Sequence, residues 1–145
     1  QTAGHRIGLE TRAVVDHDYD FHSNEGKWFW LERNRLATLI RNYPASLLAL
    51  LAPALLATEL ALLLVSARQG WFTAKLKSYR DLIRWLPRLR RERSQIQSSS
   101  RVTPGEFANL LTPDLDSPLI PAFARKGLVR AALRAYWRAV RLLLR

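Results

Sequence analysis

Residues 45–67 read ASLLALLAPALLATELALLLVSA. This block carries a single charge, Glu59. As a helix rising 1.5 Å per residue it would be about 34 Å long, enough to cross a bilayer core of roughly 30 Å. Two residues argue against a plain straight span. Pro53 removes a backbone donor in mid-block and predicts a kink. Glu59 puts a carboxylate near mid-depth, where lipid penalises it. Basic residues flank the block on both sides: Arg33, Arg35 and Arg41 before it, and Arg68, Lys75, Lys77 and Arg80 after it. Both flanks therefore prefer the cytoplasmic side. The block is expected to form a bent or re-entrant hairpin, or to lie shallowly in the interface, in preference to one straight crossing.

Outward from the block, residues 27–44 have helical periodicity. Trp28, Leu31, Leu36, Leu39 and Ile40 form an approximate stripe that Tyr43-Pro44 interrupts. Residues 68–100 predict a basic amphipathic helix and a polar linker. In that helix Leu82, Leu86 and Leu89 share one face, and Arg80, Arg84, Arg88 and Arg91 share another. Pro87 is a candidate break, and SQIQSSS from Ser94 to Ser100 reads as the linker. Residues 101–145 predict C-terminal helices. Thr103-Pro104-Gly105-Glu106 has the pattern of a capping box with proline at the first helical position. A short helix to about Leu111, a proline-containing loop over residues 112–121 and a last helix from about residue 122 are expected. In that last helix Lys126, Arg130, Arg134, Arg138, Arg141 and Arg145 gather on one side. Leu128, Val129, Leu133, Tyr136, Val140 and Leu143 lie mostly opposite, and Trp137 falls on the basic side. One-sided arginine with a broad apolar face suits a helix lying among anionic headgroups; a surface helix packed on the rest of the chain is the alternative.

Residues 1–26 read differently. Ala13-Val14-Val15 is apolar and largely β-branched, and acidic alternation follows at Asp16, Asp18 and Asp20, so a short terminal strand is expected before a turn at Ser23-Asn24-Glu25-Gly26. The run Asp16-His17-Asp18-Tyr19-Asp20-Phe21-His22 has carboxylates and imidazoles suited to a divalent ion. An EF-hand is rejected, because Phe21 stands at its glycine position and Lys27 at its final glutamate. A solvated strand end is the simpler reading of these acids.

The 145 residues carry 23 Lys and Arg against 12 Asp and Glu, a net charge of +11, and the excess lies entirely after the apolar block. Such a field attracts polyanions. Concentrated apolar sequence beside it favours a membrane surface with anionic lipids over nucleic acid. Cysteine is absent, which excludes disulfides and thiolate metal sites. There is no Ser-His-Asp set, glycine-rich phosphate loop or HExxH helix. With no Met and no signal-peptide pattern at its start, the chain is expected to be a piece of a longer polypeptide.

Several separate elements together resemble the closing segment of bacterial membrane-associated family-2 glycosyltransferases of the GT-A type. They are Ala3-Gly4, Ala13-Val14-Val15, His17, Phe21, Lys27-Trp28-Phe29-Trp30, Leu31-Glu32-Arg33-Asn34-Arg35-Leu36 and Asn42-Tyr43-Pro44, followed by the Leu-rich block. The resemblance covers residues 3–43 and extends loosely to Arg93. It implies a mainly α chain whose short N-terminal β segment ends a truncated α/β domain. Amphipathic and apolar membrane-associating helices follow. It also implies a parent enzyme that inverts configuration while passing a sugar from a nucleotide-sugar donor to a lipid-linked or polysaccharide acceptor, with Mg²⁺ or Mn²⁺, at the cytoplasmic face of the inner membrane. On this resemblance His17 lies near the metal and the donor diphosphate, whereas Asp16, Asp18 and His22 are minor candidates. Arg33 and Arg35 are candidates for phosphate or headgroup contacts, since guanidinium grips phosphate through two hydrogen bonds; the alternative is pairing with acids of the helix. Trp28, Trp30, Arg130, Arg134, Arg138 and Arg141 are the expected anchors. The early donor-site strands and the D-x-D carboxylates of such enzymes are not among these residues, so the chain alone is expected to be inactive. A non-enzymatic membrane scaffold is the competing reading.

Overall fold

The computed structural model describes residues 3, 8, 10–16, 25–113 and 127–144. Helix takes 78% of them and no strand occurs among them, so the chain is mainly α. The elements are α1 (Glu25–Asn42), α2 (Ala45–Arg68), α3 (Phe72–Ser98), α4 (Pro104–Asn109) and α5 (Leu128–Leu143). The expected N-terminal β segment is not seen. Ala13, Val14 and Val15 have no regular structure, and the two valines are 88% and 81% exposed. A strand needs a neighbour to exchange hydrogen bonds, and no other extended segment among the described residues supplies one.

The chain divides into two compact units. The first holds α1, the part of α2 from Pro53 and α3; the second holds residues 44–52, α4 and α5. In the first unit α1 and α3 run parallel, with α2 as the return path between them. Trp28 stacks on Trp71, Arg33 pairs with Asp81 and Arg41 with Glu92, so positions advance together along both helices. At the far end, Arg93 donates to the carbonyls of Ile40 and Tyr43 at 2.5 and 2.7 Å, and Gln97 donates to that of Asn42 at 3.2 Å. The open carbonyls at the end of α1 are thus capped by a helix arriving more than fifty residues later. The Arg93 bonds place a cation at the negative end of the α1 dipole.

Neither internal proline ends its helix. α2 is one helix through Pro53, with no hairpin turn inside the block, and α3 runs through Pro87 and on through the expected linker to Ser98. One proline forfeits a single backbone hydrogen bond, while neighbouring turns stay closed by leucine and alanine, both strong helix formers. The reversal comes after the block, at Gly70. This residue sits at φ 81°, and the Trp71 N–H donates to the Ser66 carbonyl at 3.0 Å. That bond from the third residue past the helix to its last turn is a Schellman closure, and the left-handed backbone explains the glycine.

In the second unit the capping box forms as expected. The Glu106 N–H donates to Thr103 Oγ1 at 3.2 Å and the Thr103 N–H to Glu106 Oε2 at 2.7 Å. α4 is shorter than expected, and it buries Phe107 and Ala108. The Tyr136 hydroxyl donates to the Leu50 carbonyl, tying α5 to the first turns of α2.

Candidate functional site

The α2 sequence from Pro53 onward has two faces. Leu55, Glu59, Leu62, Leu63 and Ser66 recur at helical spacing and are buried or half-buried. Opposite them, Leu56, Leu60 and Leu64 are 62%, 55% and 60% exposed, with exposed Ala57, Ala61 and Val65 beside them. The outer face is therefore mostly apolar, interrupted by exposed Thr58 and, at the last residue of the helix, by exposed Arg68, and the one charge inside the apolar block, Glu59, points inward.

Glu59 meets a group of charges drawn from all three helices of its unit. Its carboxylate accepts from Tyr79 Oη at 2.6 Å, from Lys75 Nζ at 3.1 Å and from Arg35. Glu32 accepts from Lys75 and, at 3.0 Å, from Arg35. Lys75 is fully buried and Glu32 is 6% exposed. Two carboxylates thus face two cations, and no net charge is left inside. Burial alone would push the Lys75 ammonium down, but the hydrogen bonds to Glu32 and Glu59 win and hold it above its ordinary value. Burial would likewise raise Glu59; the bonds from Tyr79, Arg35 and Lys75 prevail and keep its carboxyl below the usual range. Burial, and donation to Glu59, push the Tyr79 phenol up.

Arg33 and Arg35 are both committed internally. Arg33 lies 4.3 Å from the Trp30 ring centre and 4.8 Å from that of Trp85, and its Nη1 pairs with Asp81 at 2.9 Å. This is a cation held between indole faces with its charge already matched. Arg35 holds Glu32 and Glu59 together. Trp28 is 37% exposed although stacked, and Trp30 is 52% exposed. His17 lies outside the described residues, as do Asp18, His22, Lys126 and Arg145; Asp16 is exposed. Among the described residues, no group of three His, Asp or Glu could hold a metal ion.

On α3, Lys77, Arg80, Arg84, Arg88 and Arg91 are all exposed. At 100° per residue they fall within an arc of about 80°, a stripe some 21 Å long. Between this stripe and the side bearing Lys75 and Tyr79 lie Phe72, Leu76 and Ile83, which are 39%, 48% and 69% exposed.

On α5, Arg130, Arg134, Arg138 and Arg141 are exposed. The expected apolar face holds in part: Leu128, Val129 and Leu143 are exposed. Leu133, Tyr136, Trp137 and Val140 turn inward, with Trp137 and Val140 buried, so Trp137 does not project from the basic side. Leu128, Ala131, Ala135, Ala139 and Leu142 form a second, outward sector, and all are exposed. A helical wheel cannot tell which of two adjoining apolar sectors a neighbouring helix will cover.

The sequence pointed to Glu59, to the arginines and, as the alternative for Arg35, to an acid of its own helix, which is Glu32; the partners on other helices were missed. The available signal was a lone carboxylate in an apolar helix, which demands cations within reach; Lys75, one turn into the next helix, was the first downstream candidate beyond the helix itself. No protein-family model, curated protein or solved structure matches the chain.

Proposed function

We propose that the chain is the membrane-attaching C-terminal part of a bacterial family-2 glycosyltransferase, working at the cytoplasmic face of the inner membrane. The observation that carries the membrane half is the leucine-rich outer face of α2, broken only by Thr58 and the terminal Arg68, in the same unit as the exposed cationic stripe of α3. By length and composition alone α2 is also long and apolar enough to cross a bilayer. The enzymatic half rests on the resemblance of residues 3–43, which would make residues 1–26 the end of a GT-A domain and put His17 beside the donor diphosphate. There a neutral imidazole can donate to a departing phosphate oxygen or ligate Mg²⁺ or Mn²⁺. The described residues by themselves offer no metal cage. In this reading the helices hold the reaction at the surface where a lipid-linked acceptor resides.

Two measurements test the two halves. Flotation of the chain with sealed vesicles containing phosphatidylglycerol tests attachment, and failure to float at low salt removes the membrane reading. Transfer from a nucleotide sugar by a polypeptide carrying a GT-A domain ahead of these residues tests the enzyme. There His17→Ala should lower turnover about 100-fold while flotation is kept, a loss typical of one removed oxyanion donor. Flotation without any transfer would leave the non-enzymatic scaffold.

A further inference from the structure

We infer that α2 lies within one leaflet with its axis along the membrane plane, so that both of its ends remain on the same side of the bilayer. This rests on the membrane attachment proposed above and specifies its geometry.

The argument starts from Glu59. Were α2 to cross, its midpoint would fall between residues 56 and 57, leaving Glu59 about 4 Å from mid-depth. Glu59 is bonded to Arg35, Lys75 and Tyr79, so the adjacent turns of α1 and α3 would be carried to that depth too. Those turns are not apolar. Lys77 and Arg80 are exposed beside Lys75 and Tyr79. A crossing would therefore either bury exposed cations in hydrocarbon or tear Glu59 from its partners and leave a bare carboxylate there. Lipid penalises both.

Lying in the plane removes the conflict. The side of α2 bearing Glu59 faces α1 and α3, and the opposite side presents Leu56, Leu60, Leu64 and Val65, with Thr58 at its margin and Arg68 at the end of the helix, where its long side chain can reach the headgroups. Around α3 the order continues in the same sense. Tyr79 and Lys75 face α2; Phe72, Leu76 and Ile83 occupy the next 20–60° past Tyr79; the stripe of Lys77, Arg80, Arg84, Arg88 and Arg91 follows at about 100–180°. Apolar surface thus passes from α2 to α3 and then gives way to cations. That sequence matches a leaflet in cross-section, acyl chains first and anionic headgroups next. A lipid surface accounts for both the apolar sector and the charge beside it.

The absence of cysteine makes the test direct. Ser46→Cys and Gln69→Cys mark exposed positions near the two ends of α2, and Leu60→Cys marks its outer face. Each full-length variant is checked for helix content by circular dichroism, then bound from outside to sealed vesicles of phosphatidylcholine and phosphatidylglycerol. A membrane-impermeant maleimide should label both end positions to equal extents, with no further labelling after detergent lysis. A bimane at residue 60 should be quenched more by lipids with the quencher near the headgroup than near the acyl terminus. If one end is protected until lysis, or quenching is strongest from the acyl terminus, α2 crosses and the inference is lost while attachment stands. If no variant floats with the vesicles, the attachment itself is lost.

Discussion

Lys75 is the residue on which the first unit turns. It is fully buried and bridges Glu32 on α1 to Glu59 on α2. Removing one partner of a buried ion pair typically costs about 3–5 kcal/mol, because the other charge is left uncompensated. Lys75→Met should cost about 3 kcal/mol, the lower end of that range, since Arg35 still touches both carboxylates. Urea unfolding in detergent measures it, and a loss well under about 1 kcal/mol would mean the carboxylates are solvated in place. The triple change Lys75→Met, Glu32→Gln, Glu59→Leu should recover part of the loss, as replacing a whole buried charge set often does. The same cluster sets a pH window. Glu59 is lowered on folding, so its contribution is complete above the ordinary glutamate value near 4.3 and fades as pH falls toward its folded value. Lys75 is raised, so its contribution is complete below about 10.4 and fades as pH climbs through its folded value. Melting temperature should therefore hold level from about pH 5 to 10 and drop on both sides. Glu59→Gln should flatten the acid limb; an unaltered acid limb would assign the loss to other carboxylates.

At the scale of elements, Pro53 poses the sharpest question, because it was the reason to expect a bend or hairpin. α2 passes through it as one helix. Pro53→Ala should leave helix content unchanged and raise stability, by at most about 3 kcal/mol, the interior cost of proline relative to alanine. A large gain in helix content would instead mark Pro53 as a true break. Gly105 answers a different constraint. A Cβ there would lie 2.9 Å from the Leu144 carbonyl oxygen, which is backbone and cannot swing aside. Gly105→Ala should lower stability by about 1–3 kcal/mol, the usual cost of overpacking, read as a shift in the urea midpoint. These cases show what the sequence could and could not reveal. The capping box at Thr103 was legible because all of its parts lie within four residues. The apolar block and the Leu82-Leu86-Leu89 face of α3 were legible from period alone. Lengths were not: the Ser- and Gln-rich tail of α3 reads as linker by composition, yet it stays helical to Ser98 while Gln97 caps α1. The strand at Val14-Val15 failed for the converse reason, since local β propensity makes no sheet without a neighbour. The ion-pair cluster joins residues 16 to 43 positions apart, and such pairings follow from packing, which no local pattern encodes.

For the molecule as a whole, the decisive fact is where its charge of +11 goes. Arg33, Arg35, Arg41, Lys75 and Arg88 are paired with acids of the first unit. The outward positive field of that unit therefore comes from elsewhere, above all from Lys77, Arg80, Arg84 and Arg91 of the α3 stripe. Each cation close to an anionic leaflet contributes about 1 kcal/mol, and this decays within a Debye length of about 10 Å at 0.1 M salt. The apolar face of α2 works differently, because burying leucine in acyl chains is indifferent to salt and to headgroup charge. The two contributions can thus be separated on one protein. Lys77→Gln, Arg80→Gln, Arg84→Gln together should weaken partitioning into phosphatidylglycerol vesicles by about 3 kcal/mol, roughly 150-fold, at low salt. The same triple variant should bind neutral phosphatidylcholine vesicles as the parent does, and its deficit should shrink as salt rises. Leu60→Ser, Leu64→Ser should weaken binding to both vesicle types by a similar factor at every salt concentration. Flotation across a salt series measures all of it. Equal losses of the triple variant on neutral and anionic vesicles would show that the stripe maintains the fold and does not touch headgroups. An undiminished affinity of the double serine variant would remove α2 from the membrane contact altogether and leave attachment to the cations alone.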